Sequence, residues 1–131
     1  MTMFCYQCEQ TAKGTGCTVA GVCGKDARTA ALQDLLMQVA EGVSQYAHAA
    51  RQLGVVDREA DVYVVEAMFS TVTNVDFDPE RLAEILRQGV QVRERVRGLY
   101  EQAARKAGKT PARLTGPATI ELGGTIDAMV D

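Results

Sequence analysis

All four cysteines of this 131-residue chain lie within one short stretch, CYQCEQTAKGTGCTVAGVCGK, from Cys5 to Lys25. Cys5, Cys8, Cys17 and Cys23 follow the pattern C-x2-C-x8-C-x5-C, and no cysteine comes after them. Four thiols crowded into one loop can form two disulfides, hold zinc or an iron–sulfur cluster, or serve as small buried hydrophobes. The rest of the sequence weighs these uses against each other.

The start, MTMFCYQCEQ, has neither the basic segment nor the apolar run of a secretory signal. A cytoplasmic location is therefore expected, and thiols there usually stay reduced. With 47% hydrophobic residues, a chain of this length buries a core without covalent staples, which argues against two disulfides. Inert buried thiols fit poorly in a loop of Gly, Thr and Lys. Metal binding is left. Zinc sites usually present two short cysteine knuckles a dozen or more residues apart. Here one tight pair is followed by two single cysteines, so the spacing favours an iron–sulfur cluster and leaves zinc open.

The residues between the cysteines suit that use. Gly14, Gly16, Gly21 and Gly24, with Thr11, Thr15 and Thr18, let the backbone wrap closely and aim N–H groups at sulfur. The loop also runs directly into a helix start at Asp26. A helix N-terminus favours a nearby anion, and four thiolates on a [4Fe–4S]2+ core carry a net negative charge. Lys13, Lys25 and Arg28 add positive charge there, although their ordinary role is surface solubility.

Three segments carry a helical period. The first runs from the N-cap Asp26 to Gly54, with Leu32, Leu35, Leu36, Val39, Ala40, Val43, Tyr46, Ala47, Ala50 and Leu53 on one face. Glu41, Gln45, His48 and Gln52 line the other. The second begins at Asp57 and ends at TVTN, Thr71 to Asn74, with an expected stripe of Val64, Val65, Met68, Phe69 and Val72. The third opens at Asp78-Pro79 and keeps its period through Leu82, Ile85, Leu86, Gly89, Val92, Val96, Leu99, Tyr100, Ala103 and Ala107 to Gly108. Arg87, Arg93, Arg95 and Arg97 fall mostly off that stripe and read as a solvated face.

Short connections between long helices imply antiparallel neighbours. The predicted fold is thus all-α: a cluster loop over 1–25, a three-helix bundle over 26–109 and an irregular tail over 110–131, in a single domain. Pro111, Gly116-Pro117 and Gly123-Gly124 break any long element in the tail.

Other chemistries lack support. A net charge of −3 and scattered Lys and Arg argue against nucleic acid, and no run reaches the ~20 apolar residues of a membrane span. His48, the only histidine, lies on a polar face. Gly14-x-Gly16 follows no strand, so it does not read as a phosphate loop.

The run MFCYQCEQTAKGTGCTVAGVCGK, then ALQDLL at 31–36, VVEAMFSTVTNVDFDPER at 64–81 and GPAT at 116–119, resembles the N-terminal part of the hybrid cluster protein family, also called prismane protein or hydroxylamine reductase. The resemblance implies that Cys5, Cys8, Cys17 and Cys23 bind a cubane [4Fe–4S] cluster near the surface. A family subset with wider cysteine spacing carries [2Fe–2S]; the spacing here is similar to the cubane type. The resemblance further implies a helical first domain of two three-helix bundles, of which this chain holds one.

Full-length members of that family are oxidoreductases with a separate Fe–S–O hybrid cluster, held by His, Glu, cysteines and a persulfide in later domains. With no cysteine after Cys23 and a single histidine, this chain lacks the means to build that cluster. The resemblance therefore implies an electron-entry module, a shortened or fragment form, and not a catalyst by itself. A structural metal-binding interaction module is the alternative. Expected partners are a redox protein and either the missing hybrid-cluster domains or a second copy in a two-fold homodimer. Tyr63, Val75, Phe77, Val90, Ile120, Leu122 and Ile126 are the apolar residues expected to need cover, by a partner or by the tail folding back.

Overall fold

The computed structural model describes residues 2–72 and 77–130. Three long helices form the body: α1 (Ala27–Gln52), α2 (Arg58–Val72) and α3 (Pro79–Lys106), followed by a short α4 (Ile126–Val130). The all-α bundle expected from the sequence is what folds.

The helix ends follow from local chemistry. The Asp26 carboxylate accepts from the Thr29 N–H at 2.7 Å, and Asp78 accepts from Glu80 at 3.1 Å with Pro79 in the first turn. Asp57 does the same for α2, accepting from Ala60 at 2.9 Å. At the far end of α1, Gly54 adopts φ +83 and two bonds close the helix, Gly54 N–H to Arg51 and Val55 N–H to Ala50. Gly108 repeats this closure after α3, with Lys109 N–H reaching Ala104. Only a residue tolerant of the left-handed region fits those two positions.

Contacts fix the directions. Thr71 meets Met37, Tyr63 meets Ile85, and Asp57 meets Arg95, so α2 runs antiparallel to both neighbours. Tyr46 and Tyr100 meet at a tilt with ring centroids 6.2 Å apart, and α1 lies along α3 as the centre of the bundle. Leu32, Leu36, Leu82 and Leu86 are fully buried between them. Each such side chain contributes about 1.5–3 kcal/mol.

The stripe expected on α2 needs correcting. Val65 and Phe69 are exposed, at 67% and 64%, while Ala60, Tyr63, Ala67 and Thr71 face the core. Those four keep the 3–4 spacing of one helix face, and the alanines let α2 approach closely. Val64 and Met68 are half-buried beside them, and Val72 has no described side chain. Tyr63, expected to need cover, is buried, and its hydroxyl donates to the Ile85 carbonyl at 2.8 Å. Burial pushes that phenol's pKa far up.

Arg93 is the second correction. It is buried, not solvated, and its guanidinium donates to the Ile120 carbonyl at 2.6 Å. Arg87, Arg95 and Arg97 are exposed as expected. The tail is a third. It is not irregular throughout: Gly116–Thr119 forms a 3-10 turn against α1, and α4 packs on α1 and α3. Ala118 and Met129 are buried there, and Leu122 and Ile126 pack on the core, as does Val90. Phe77 and Ile120 are half-buried; Val75 and Asn74 lie outside the described residues. Among the described residues no helix is long and apolar enough to cross a membrane.

Candidate metal centre

The cysteine loop caps the end of the bundle where α1 begins, α2 ends and α3 begins. A second, small apolar cluster of Met3, Cys17 and Ala30 ties it to α1. An antiparallel bridge holds its two halves together: Cys5 and Cys17 exchange both backbone hydrogen bonds at 2.9 Å. This pairing brings the C-x2-C segment against the third cysteine.

Cys5, Cys8, Cys17 and Cys23 together line one small pocket, with Gln7, Gln10, Thr11, Gly21 and Val22. No disulfide joins any of them. Cys17 is buried, Cys5 half-buried, and Cys8 and Cys23 are exposed. Among the described residues no three His, Cys, Asp or Glu side chains converge closely enough to grip a single ion.

Hydrogen-bond donors are aimed at these sulfurs. The Ala12 N–H reaches Cys17 Sγ at 3.4 Å, and the Thr11 hydroxyl stands 3.7 Å from it. The Ala12 N–H first, then the Val22 N–H and the Thr11 hydroxyl, hold the Cys17 thiol below its ordinary pKa. That favours the thiolate, the form that ligates metal. Gly21 makes the close wrap possible: a Cβ there would lie 2.9 Å from Lys25 Cβ and 3.1 Å from Cys23 Sγ.

Lys25 departs from the surface role its residue type suggests. It was expected to add field strength from the surface, but it is 1% exposed. Its ammonium donates to Cys5 Sγ at 3.5 Å and to Gln7 Oε1 at 3.3 Å, and sits 5.6 Å from the centre of the Phe77 ring. Thr11, which also donates to the Cys5 carbonyl at 3.2 Å, is the other buried polar residue of the loop. Its position between two ligand candidates was the available signal. Lys13 is exposed, and Arg28 pairs with Asp127 of α4 at 2.6 Å. His48 is exposed, and it borders an apolar cleft with Met37, Val64 and Met68, away from the cysteines.

Comparison with known proteins bears directly on this loop. A model of the Prismane/CO dehydrogenase family matches residues 3–120, cysteines included. The chain belongs to that family. Among its prismane-family relatives, the hydroxylamine reductase of Rhodospirillum rubrum is 48% identical over 128 residues, 98% of this chain and 23% of the relative. That of Geobacter metallireducens is 48% identical over 132 residues, and that of Methanocella arvoryzae 49% over 125. The chain thus spans about a quarter of the length of the curated relatives it matches.

Proposed function

We propose that this chain is an electron-transfer module in which Cys5, Cys8, Cys17 and Cys23 hold one [4Fe–4S] cluster. The observation that carries the reading is the gathering of all four cysteines around one pocket, supplied with donors to sulfur. A single zinc ion needs its thiolates to converge at about 2.3 Å from one point. No such convergence is found among the described residues, and four cysteines lining one pocket is the ligand number that a cubane cluster takes. When bound, such a group supplies one-electron oxidation and reduction.

The chain's own residues do the rest. Ala12 and Thr11 stabilise the Cys17 thiolate, and the Cys5–Cys17 bridge fixes the mouth of the pocket. Cys8 and Cys23 keep one side open, and Phe4, Tyr6, Val19 and Val22 are exposed in the same loop. That apolar rim is the surface we assign to a redox partner protein, over which the electron path to the sulfurs is short. Reduction of hydroxylamine, the activity in the relatives' names, belongs in this reading to sequence beyond the matched quarter. The outward side of α2, with exposed Val62, Val65 and Phe69, is then a face for that further sequence to cover.

The test is reversible reduction. Anaerobically prepared protein is expected to accept an electron from dithionite, to give a reduced-state EPR signal and to return on oxidation with its iron retained. A group that disintegrates on reduction favours a structural metal module instead.

A further inference from the structure

We propose that Lys25 is the built-in counter-charge of the metal centre, a positioning residue that favours the more negative state of whatever the cysteines hold. The inference rests on the cluster reading above and deepens it. A lysine ammonium is seldom fully buried, because leaving water costs free energy that only good partners restore. Lys25 has surrendered its water for a sulfur, an amide oxygen and an aromatic face. Asp34 of α1 lies within range of its charge but makes no hydrogen bond or ion pair with it among the described residues. An amide oxygen and a ring compensate a charge poorly. A thiolate at Cys5 compensates it well, through a charge-assisted bond in a site of low dielectric.

The backbone is built to keep it there. Gly21 N–H donates to the Lys25 carbonyl at 2.7 Å, and the absent side chain at Gly21 leaves room for Lys25 Cβ. The next residue, Asp26, is the N-cap of α1, so the direction of the lysine stem is set by the helix start. Phe77, at the entry to α3, closes the other side. The ammonium is thus held between Cys5 and Gln7 of the loop and Phe77 just before α3.

Adding an electron makes the site more negative by one charge, and a fixed cation at the Cys5 sulfur favours that state. Lys25 therefore raises the reduction potential of the centre. The experiment is a redox titration of the reconstituted chain, followed by EPR, for wild type, Lys25→Met and Lys25→Arg at equal iron and sulfide content. The expected result is a lower midpoint potential for Lys25→Met and a value near wild type for Lys25→Arg. A Lys25→Met protein that carries its full complement of iron at the wild-type potential overturns the inference. If Lys25→Met takes up no iron, Lys25→Arg decides: uptake by it supports a required cation, and failure like that of Lys25→Met overturns it. A wild-type chain that takes up no reducible cluster fails the underlying reading, and this inference with it.

Discussion

Gly42 of α1 lies so close to Pro117 of the tail that a Cβ on it would stand 2.9 Å from the Pro117 carbonyl carbon. Alanine normally stabilises a helix interior relative to glycine, but here the tail occupies the space. Gly42→Ala is expected to destabilise the fold by about 1–3 kcal/mol, the usual cost of overpacking. Gly98 of α3 is the control, since nothing lies within 4 Å of its Cβ position. Gly98→Ala should stabilise by about 0.5–1 kcal/mol. Chemical denaturation of both variants checks the opposite signs; equal effects would mean that the tail does not pack on α1.

Arg93 of α3, whose stem lies beside Gly42, holds the same tail. Replacing it with Met removes a charge-assisted bond to the Ile120 carbonyl and should cost about 1.5–3 kcal/mol. Limited proteolysis is the sensitive readout, with cleavage in 110–131 accelerated while 27–106 stays intact. A tail equally resistant in the variant would remove Arg93 from this role.

Asp57 joins α2 to α3. Its carboxylate takes a bidentate hydrogen bond from Arg95 and caps α2 through Ala60, and Arg95 is the larger cause of its lowered pKa. A folded-state pKa below the unfolded value of about 3.9 means stability that is present above that pH. It is lost as pH falls through the folded value. Arg95 is 41% exposed, so screening limits the pair to about 1 kcal/mol. Asp57→Asn should be less stable than wild type by that amount at pH 7, and the gap should close well below pH 4. A gap independent of pH would show that the Asp57 charge contributes nothing to the fold.

The helix limits were legible because they depend on neighbours in sequence: Asp26, Asp57, Asp78-Pro79, Gly54 and Gly108 act through local hydrogen bonds. The face of α2 was not, because close fit between helices, not side-chain size, decides which residues it buries. Ala60, Ala67 and Thr71 are buried because small residues let helices approach, which leaves Val65 and Phe69 outside. The burial of Arg93 and of Lys25 was illegible for one reason. Each is long and cationic, and its burial depends on a distant partner, Ile120 or Cys5, that no local pattern announces. The four cysteines were legible as a set, but the bridge between Cys5 and Cys17 and the donors to sulfur required the folded loop.

The loop and the bundle should separate when metal is withheld. The loop is anchored by the small cluster of Met3, Cys17 and Ala30, whereas α1 to α3 share the large core. Hydrogen exchange of metal-free protein is expected to show fast amides over residues 4–24 and slow ones through 32–50. Uniform protection would show that the loop orders without its ligand.

Iron, acid-labile sulfide and zinc measured on anaerobically reconstituted protein test most directly what the four cysteines hold. The expected composition is about four irons and about four sulfides per chain in a brown protein, lost when Cys17 is replaced by Ser. A colourless protein with one zinc per chain would contradict it.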